Sequence, residues 1–95
     1  MDKAKVLLRV SIDPTRHRPT GFTEHYVDMA PIPVPTELQI VTFGPPDPGF
    51  YLLYLDSAGN ELTDTFHDTV GDALLQAERE FGVRSSDWVP AVELH

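Results

Sequence analysis

Histidines stand at positions 17, 25, 67 and 95, and the carboxylates near them decide which chemistry the chain can support. The densest polar constellation is Asp64-Thr65-Phe66-His67-Asp68. A histidine oriented by a carboxylate is the arrangement of a general base, so His67 held by Asp64 or Asp68 is the catalytic pairing the sequence offers. It has no nucleophile beside it, because no Gly-x-Ser-x-Gly elbow occurs. The same residues suit a strand-to-helix junction, where Asp and Thr cap helices and His bonds loop amides. The structural reading outweighs the catalytic one, and no catalytic residue is assigned.

Metal and cofactor chemistry find less support. No histidine pair has the H-x-x-x-H or H-E-x-x-H spacing that places two ligands on one helix face. Cysteine is absent, which excludes disulfides and thiolate sites. Asp56-Ser57-Ala58-Gly59-Asn60 opens like a calcium loop, but its oxygen ligands do not alternate and position twelve is His67 instead of glutamate. No glycine-rich phosphate motif is present. A cluster of His25, His67 and acids gathered by folding is the remaining metal route, and it is not expected. His95, the last residue, is expected to be mobile. Neither metal nor cofactor is assigned.

Binding residues are better represented. Phe50-Tyr51-Leu52-Leu53-Tyr54-Leu55 is apolar or aromatic on both faces, and one helix covers only one face of a small sheet. Some of these rings should therefore reach the surface, where tyrosine is a preferred interface anchor. Asp47, Asp56, Glu61, Asp64 and Asp68 flank the same hairpin. The expected protein-binding residues are Tyr51, Tyr54, Asp56, Glu61 and Asp64.

The charge pattern points to the kind of partner. Net charge is −8 over 95 residues, and it is unevenly spread. Residues 1–18 hold five basic residues and two acids, a net of +3; residues 19–95 hold two basic residues and thirteen acids, a net of −11. Phosphate contacts need Lys and Arg, so a nucleic-acid partner is not expected. A protein partner with a basic surface is. No apolar run approaches the roughly 20 residues of a membrane span. The N-terminal stretch has no apolar segment before a cleavage site, so no signal peptide is read and a cytoplasmic location is expected.

The elements that must position these residues follow from periodicity. Residues 4–12 alternate, with Val6, Leu8, Val10 and Ile12 on one face and Leu7, Arg9 and Ser11 on the other, until Asp13-Pro14 ends the strand. Residues 15–20 read as an exposed polar loop, 22–29 as an imperfect second strand, and Pro31-Ile32-Pro33-Val34-Pro35 as a rigid connector. Leu38 to Phe43 and Phe50 to Leu55 are strands separated by the turn signal Gly44 to Gly49. Glu61 to Phe66 returns across Asp56–Asn60, with Leu62 and Phe66 on one face and Glu61, Thr63 and Thr65 on the other.

Val70, Ala73, Leu74, Ala77 and Phe81 then repeat at helical spacing. Thr69 with Asp72 makes the N-cap, and Gly82 stands where a left-handed terminator belongs. Val83 and Trp88 should fold back onto the core, with Ser85-Ser86-Asp87 starting a further turn and the last residues frayed. The expected fold is a single α+β domain over residues 1–95: a small antiparallel sheet of four or five strands with one C-terminal amphipathic helix on one face.

The stretch Gly49 to Trp88, with Gly-Phe-Tyr-Leu-Leu-Tyr-Leu-Asp, Glu-Leu-Thr-Asp-Thr-Phe-His-Asp-Thr and Asp-Ala-Leu-Leu-Gln-Ala-Glu, resembles a segment of small uncharacterised bacterial proteins. Some of these resemble immunity proteins that neutralise secreted toxins. The resemblance implies a bacterial cytosolic binding protein and carries no functional residue onto a numbered position. The expectation is a non-enzymatic protein-binding domain, in its specific form an immunity-type inhibitor of a basic protein. Two rivals belong to other classes: a ligand binder or enzyme at His67, Asp64 and Asp68, and a homo-oligomer, the simplest being a homodimer paired through its aromatic strand.

Overall fold

The computed structural model describes residues 4–44 and 47–91. The expected mobility of His95 and fraying of the last residues lie outside the described residues, as do Pro45 and Pro46 of the 44–49 turn. The chain is α+β. Strands β1 (Lys5–Ser11), β4 (Glu37–Thr42), β5 (Phe50–Leu55), β6 (Glu61–His67) and β7 (Val89–Pro90) form one antiparallel sheet in the order β6-β5-β4-β1-β7. Strands β2 (Tyr26–Val27) and β3 (Ala30–Pro31) form a separate hairpin. Among the described residues no helix is long and apolar enough to cross a membrane.

Helix α1 (Val70–Phe81) packs on one face of the sheet. Its ends are built as the sequence predicts. The Thr69 side chain accepts from the Asp72 amide, and Gly82 turns left-handed at φ 73°, sending its amide to the Glu78 carbonyl. The core between helix and sheet joins Val10, Leu38, Ile40, Leu52 and Tyr54 to Ala73, Ala77 and Phe81. Val83 and Trp88 close it from below, beyond the 3-10 turn Ser85–Asp87. Small alanines at 73 and 77 let the helix backbone approach the large side chains of β4 and β5.

Two bulges redistribute side chains relative to simple alternation. The β1–β4 register shifts between Val6 and Leu8, so Val6 pairs with Val41 while Leu8 pairs with Ile40. An extra residue flips every side chain before it to the other face. Val6 therefore leaves the Leu8/Val10 face on which alternation alone puts it. In β6 the register shifts where Leu55 pairs with Glu61 and Tyr54 with Thr63. Leu62 is the extra residue and packs against the core. Glu61 thus shares a face with Asp64 and Phe66, and the expected grouping of Leu62 with Phe66 does not hold.

Residues 12–36 form an arm that leaves β1 and returns to β4. Here the sequence expectations need most correction. The 22–29 strand reduces to Tyr26–Val27, turned by Asp28 and Met29 at φ 54° and 68° into Ala30–Pro31. Two consecutive positive φ angles are the primed-turn geometry of a tight hairpin, reached here without glycine. Met29 at its tip is 96% exposed. The 15–20 loop is not simply solvated either, because His17 inside it is 2% exposed. Its Nδ1 accepts from the Asp13 amide (2.9 Å), which leaves Nε2–H to donate to Asp87 Oδ2 (3.0 Å).

The arm also satisfies the last carbonyls of α1. Arg18 N donates to Phe81 O (3.0 Å), Thr20 N to Glu80 O (2.9 Å), and the Thr20 hydroxyl to Arg79 O. These are acceptors that a helix end leaves open.

Candidate functional site

Alternation along β5 sends Leu52 and Tyr54 into the helix-covered core and Tyr51 and Leu53 to the opposite face. Register carries that second face across the sheet: Glu37, Gln39 and Val41 on β4, Arg9 on β1, and Glu61, Asp64 and Phe66 on β6. Among the described residues no second layer covers it.

Three rings stand together there. Tyr51 meets Phe43 at 5.4 Å between centroids and Phe66 at 5.3 Å, both edge to face. Phe66 is 50% exposed and Phe43 is exposed as well. Gly49 makes this packing possible, because a Cβ there would overlap the Phe66 ring. Val41 and Leu55 remain buried in the same face, so the patch has a closed apolar base.

Carboxylates border the rings. Asp47 Oδ2 accepts from the Tyr51 hydroxyl (3.0 Å), a bond that holds the phenol proton and raises the group above its ordinary value. A hydrogen bond that the protonated Glu61 carboxyl donates to Asp64, with partial burial and the Asp64 charge, pushes Glu61 up to about 7. Two carboxyls side by side resist losing both protons.

The five expected binding residues thus divide. Tyr51, Glu61 and Asp64 share the open face. Tyr54 does not: it is fully buried, and its hydroxyl donates to Glu80 Oε1 at 2.6 Å. Burial, then Glu80, raises its hydroxyl far above the ordinary value. Tyr54 is a core residue and cannot touch a partner in this fold. Asp56 is committed to the hairpin turn. Its Oδ1 accepts from the amides of Ala58 (2.9 Å) and Asn60 (2.8 Å), and the Asn60 amide above all holds its pKa down.

Of the two carboxylates offered to His67, Asp64 is not brought to it. Asp64 and His67 are an odd number of residues apart in a regular stretch of strand, so they point to opposite faces. His67 Nε2 lies 2.7 Å from the Thr65 hydroxyl beside it, and burial lowers its pKa despite Asp72 and Asp68. Among the described residues no three metal-ligating side chains gather anywhere.

A second polar cluster forms at the other side of the sheet, where the arm meets α1. Glu80 is 3% exposed. Its Oε1 accepts from Tyr54 and from Gln76 Nε2 (3.1 Å), and Gln76 also reaches the Thr23 hydroxyl (3.4 Å). His25 Nε2 stands at ion-pair distance, 2.7 Å, from Glu80 Oε2, and its ring leans on Tyr54 at 4.8 Å.

Sequence reasoning missed Phe43, Phe66 and Gly49 as one unit, and missed Glu80 altogether. The signal for Glu80 was legible: it follows Ala73 and Ala77 at i+7 and i+3, inside the apolar stripe, where an acid needs buried partners. The Phe66 signal was masked by the bulge at Leu62. Compared with known proteins, the chain matches no family model, no curated protein and no solved structure.

Proposed function

We propose that this chain is a non-enzymatic protein-binding domain that masks a basic protein surface with the open face of its sheet, as an immunity-type inhibitor does. The observation that carries the reading is the exposed Phe43–Tyr51–Phe66 group on a closed apolar base, bordered by Asp47, Glu61 and Asp64. Central aromatic anchors with a charged rim are the anatomy of a specific interface. The rim is acidic and the chain carries a net charge of −8, so the complementary partner presents Lys and Arg. The immunity-type form rests on the resemblance of residues 49–88. Asp64 and His67 lie on opposite faces of β6, so the pairing of these two that an enzyme reading would use is not formed there.

The test is an affinity capture with the tagged protein at about 50 and about 200 mM salt, a range over which contacts between exposed charges weaken. The expected result is one stoichiometric basic partner, held less tightly at the higher salt and lost with Phe66→Ala. Capture of the same partner by Phe66→Ala and Tyr51→Ala at wild-type yield would place the interface elsewhere.

A further inference from the structure

We propose that the outer edge of β6 takes an extended, cationic segment of the partner protein as an added strand, so that the open face of the sheet continues onto the partner. This deepens the basic-partner reading of that face and rests on it.

β6 stands at the end of the sheet, with β5 as its one neighbour. A terminal strand presents a row of backbone N–H and C=O groups on its outer side. Among the described residues, β5 is the one element whose backbone bonds that of 61–67.

The two ends of the sheet are finished differently. β7 is two residues long, and its Pro90 has no N–H to offer. Short strands and prolines are how natural sheets blunt an edge. β6 is seven residues long, holds no proline, and carries Thr63, Thr65 and Phe66, residue types favoured in strands. The bulge at Leu62 interrupts one end of it and leaves 63–67 in regular register.

The side chains of β6 decide what the edge pairs with. Glu61, Asp64 and Phe66 lie on the open face, and Thr63, Thr65 and His67 on the helix face. An added strand sets its own alternate residues beside these two rows. Opposite charges across strands stabilise, and like charges directly opposite destabilise. The row beside Glu61 and Asp64 therefore calls for Lys or Arg, whose aliphatic stems can also lie along Phe66. The row beside Thr63 and Thr65 calls for β-branched residues. A second copy of the chain does not meet this demand. β6 holds two acids and no Lys or Arg, and a two-fold pairing centred on Asp64 sets that carboxylate against itself.

The probe is the peptide Lys-Val-Lys-Val-Lys-Val-Lys, blocked at both ends and titrated to about 10 mM, enough to populate a site of millimolar affinity. Amide hydrogen exchange at 63–67 is read beside the affinity. At a peptide concentration about tenfold above its Kd, the outward amides, every second one, should exchange about tenfold more slowly. Glu-Val-Glu-Val-Glu-Val-Glu should leave them unchanged. Lys-Pro-Lys-Pro-Lys-Pro-Lys has the same charge but lacks alternate donors, and should bind about tenfold or more weakly. Asp64→Lys, at an exposed position, should weaken the Lys-Val peptide to a similar degree.

The proposal is overturned if the Lys-Val peptide leaves the 63–67 amides unprotected, or if the proline peptide binds as tightly. It is also overturned if these amides become protected with rising protein concentration alone, which would give the edge to a second copy. Failure of the face reading is a different result, because the peptide experiment needs no partner. Partner capture lost with Phe66→Ala, beside a β6 that the peptide does not protect, keeps the face and removes the edge. Protection of β6 by the peptide, beside capture that Phe66→Ala and Tyr51→Ala leave intact, keeps the edge as a cationic-strand site and removes the face.

Discussion

Tyr51 and Tyr54 lie on the same strand, three residues apart, and their fates differ completely. Tyr54 faces α1, is fully buried, and delivers its hydroxyl to Glu80. Tyr51 faces away, packs between two exposed phenylalanines and bonds the rim residue Asp47. The two faces of the sheet therefore do different work with the same residue type. One face closes the core; the other leaves rings and carboxylates at the surface. An aromatic-rich strand announces both uses and does not say which ring serves which.

The strongest way to break the comparison is Tyr54→Ala. Truncating a fully buried aromatic costs about 3–5 kcal/mol, and here it also leaves Glu80 without one of its donors. Denaturant unfolding should show a loss of that order, a large part of the stability of a domain this size. A loss below about 1 kcal/mol would mean that the two faces are not energetically distinct.

Asp87→Asn should cost less, about 1–2 kcal/mol, the scale of hydrogen bonds to a charged group. The Arg84 amide first, then His17 and Arg16, hold the Asp87 carboxyl down to about 2. That folded value lies below the unfolded one near 3.8, so the contribution is full above about pH 4 and disappears as pH falls through about 2. An acid titration of stability should show the wild type losing its advantage over Asp87→Asn in that window. Curves that remain parallel would rule out this carboxylate as the tie between the arm and the 3-10 turn.

Phe66→Ala and Tyr51→Ala sharpen the comparison from the other side. Each should lower stability by about 1 kcal/mol or less, since the rings are partly in water already. Each should nevertheless weaken binding of the basic partner at least tenfold, the behaviour of interface anchors. Isothermal titration beside the unfolding curves separates the two effects.

Glu61→Gln should have the smallest effect. Asp64 and partial burial raise the Glu61 carboxyl from 4.5 to about 7 in the folded chain. A raised carboxyl opposes folding as pH rises from 4.5 to 7, so wild-type stability should drift down over that interval and the variant's should not. Partner affinity should strengthen from pH 6 to pH 8 in the wild type as the rim gains this charge. A flat wild-type profile would mean the two carboxyls do not share a proton.

The contrast between residues 50–82 and the arm over 12–36 shows how much was legible. From Phe50 to Gly82 each element is local. A hairpin closes over Asp56 and Gly59, and a helix is announced by Thr69, Asp72 and Gly82. Such signals depend on neighbours in sequence, and the structure has them where periodicity puts them. The arm has no period, and what fixes it is distant in sequence: His17 bonds Asp87, Thr20 bonds the end of α1, and His25 approaches Glu80. Nothing near residue 17 or 25 reveals those partners. The candidate binding face was half legible for the same reason. Tyr51, Glu61 and Asp64 could be named from strand spacing, while Phe43, Phe66 and Gly49 join them only through register and a bulge.

What the sequence determined by itself is the class of fold, the capped helix, the two strong strands and the acidity of the surface. Each follows from local propensity, period and composition. The tertiary structure alone decided which tyrosine is buried, which carboxylates meet, and that the arm encloses a proline-walled pocket over Glu80. Those outcomes depend on register shifts of a single residue and on hydrogen bonds between segments up to 71 residues apart. A one-residue slip reverses the face a side chain occupies, and alternation has no means of encoding where the slip falls.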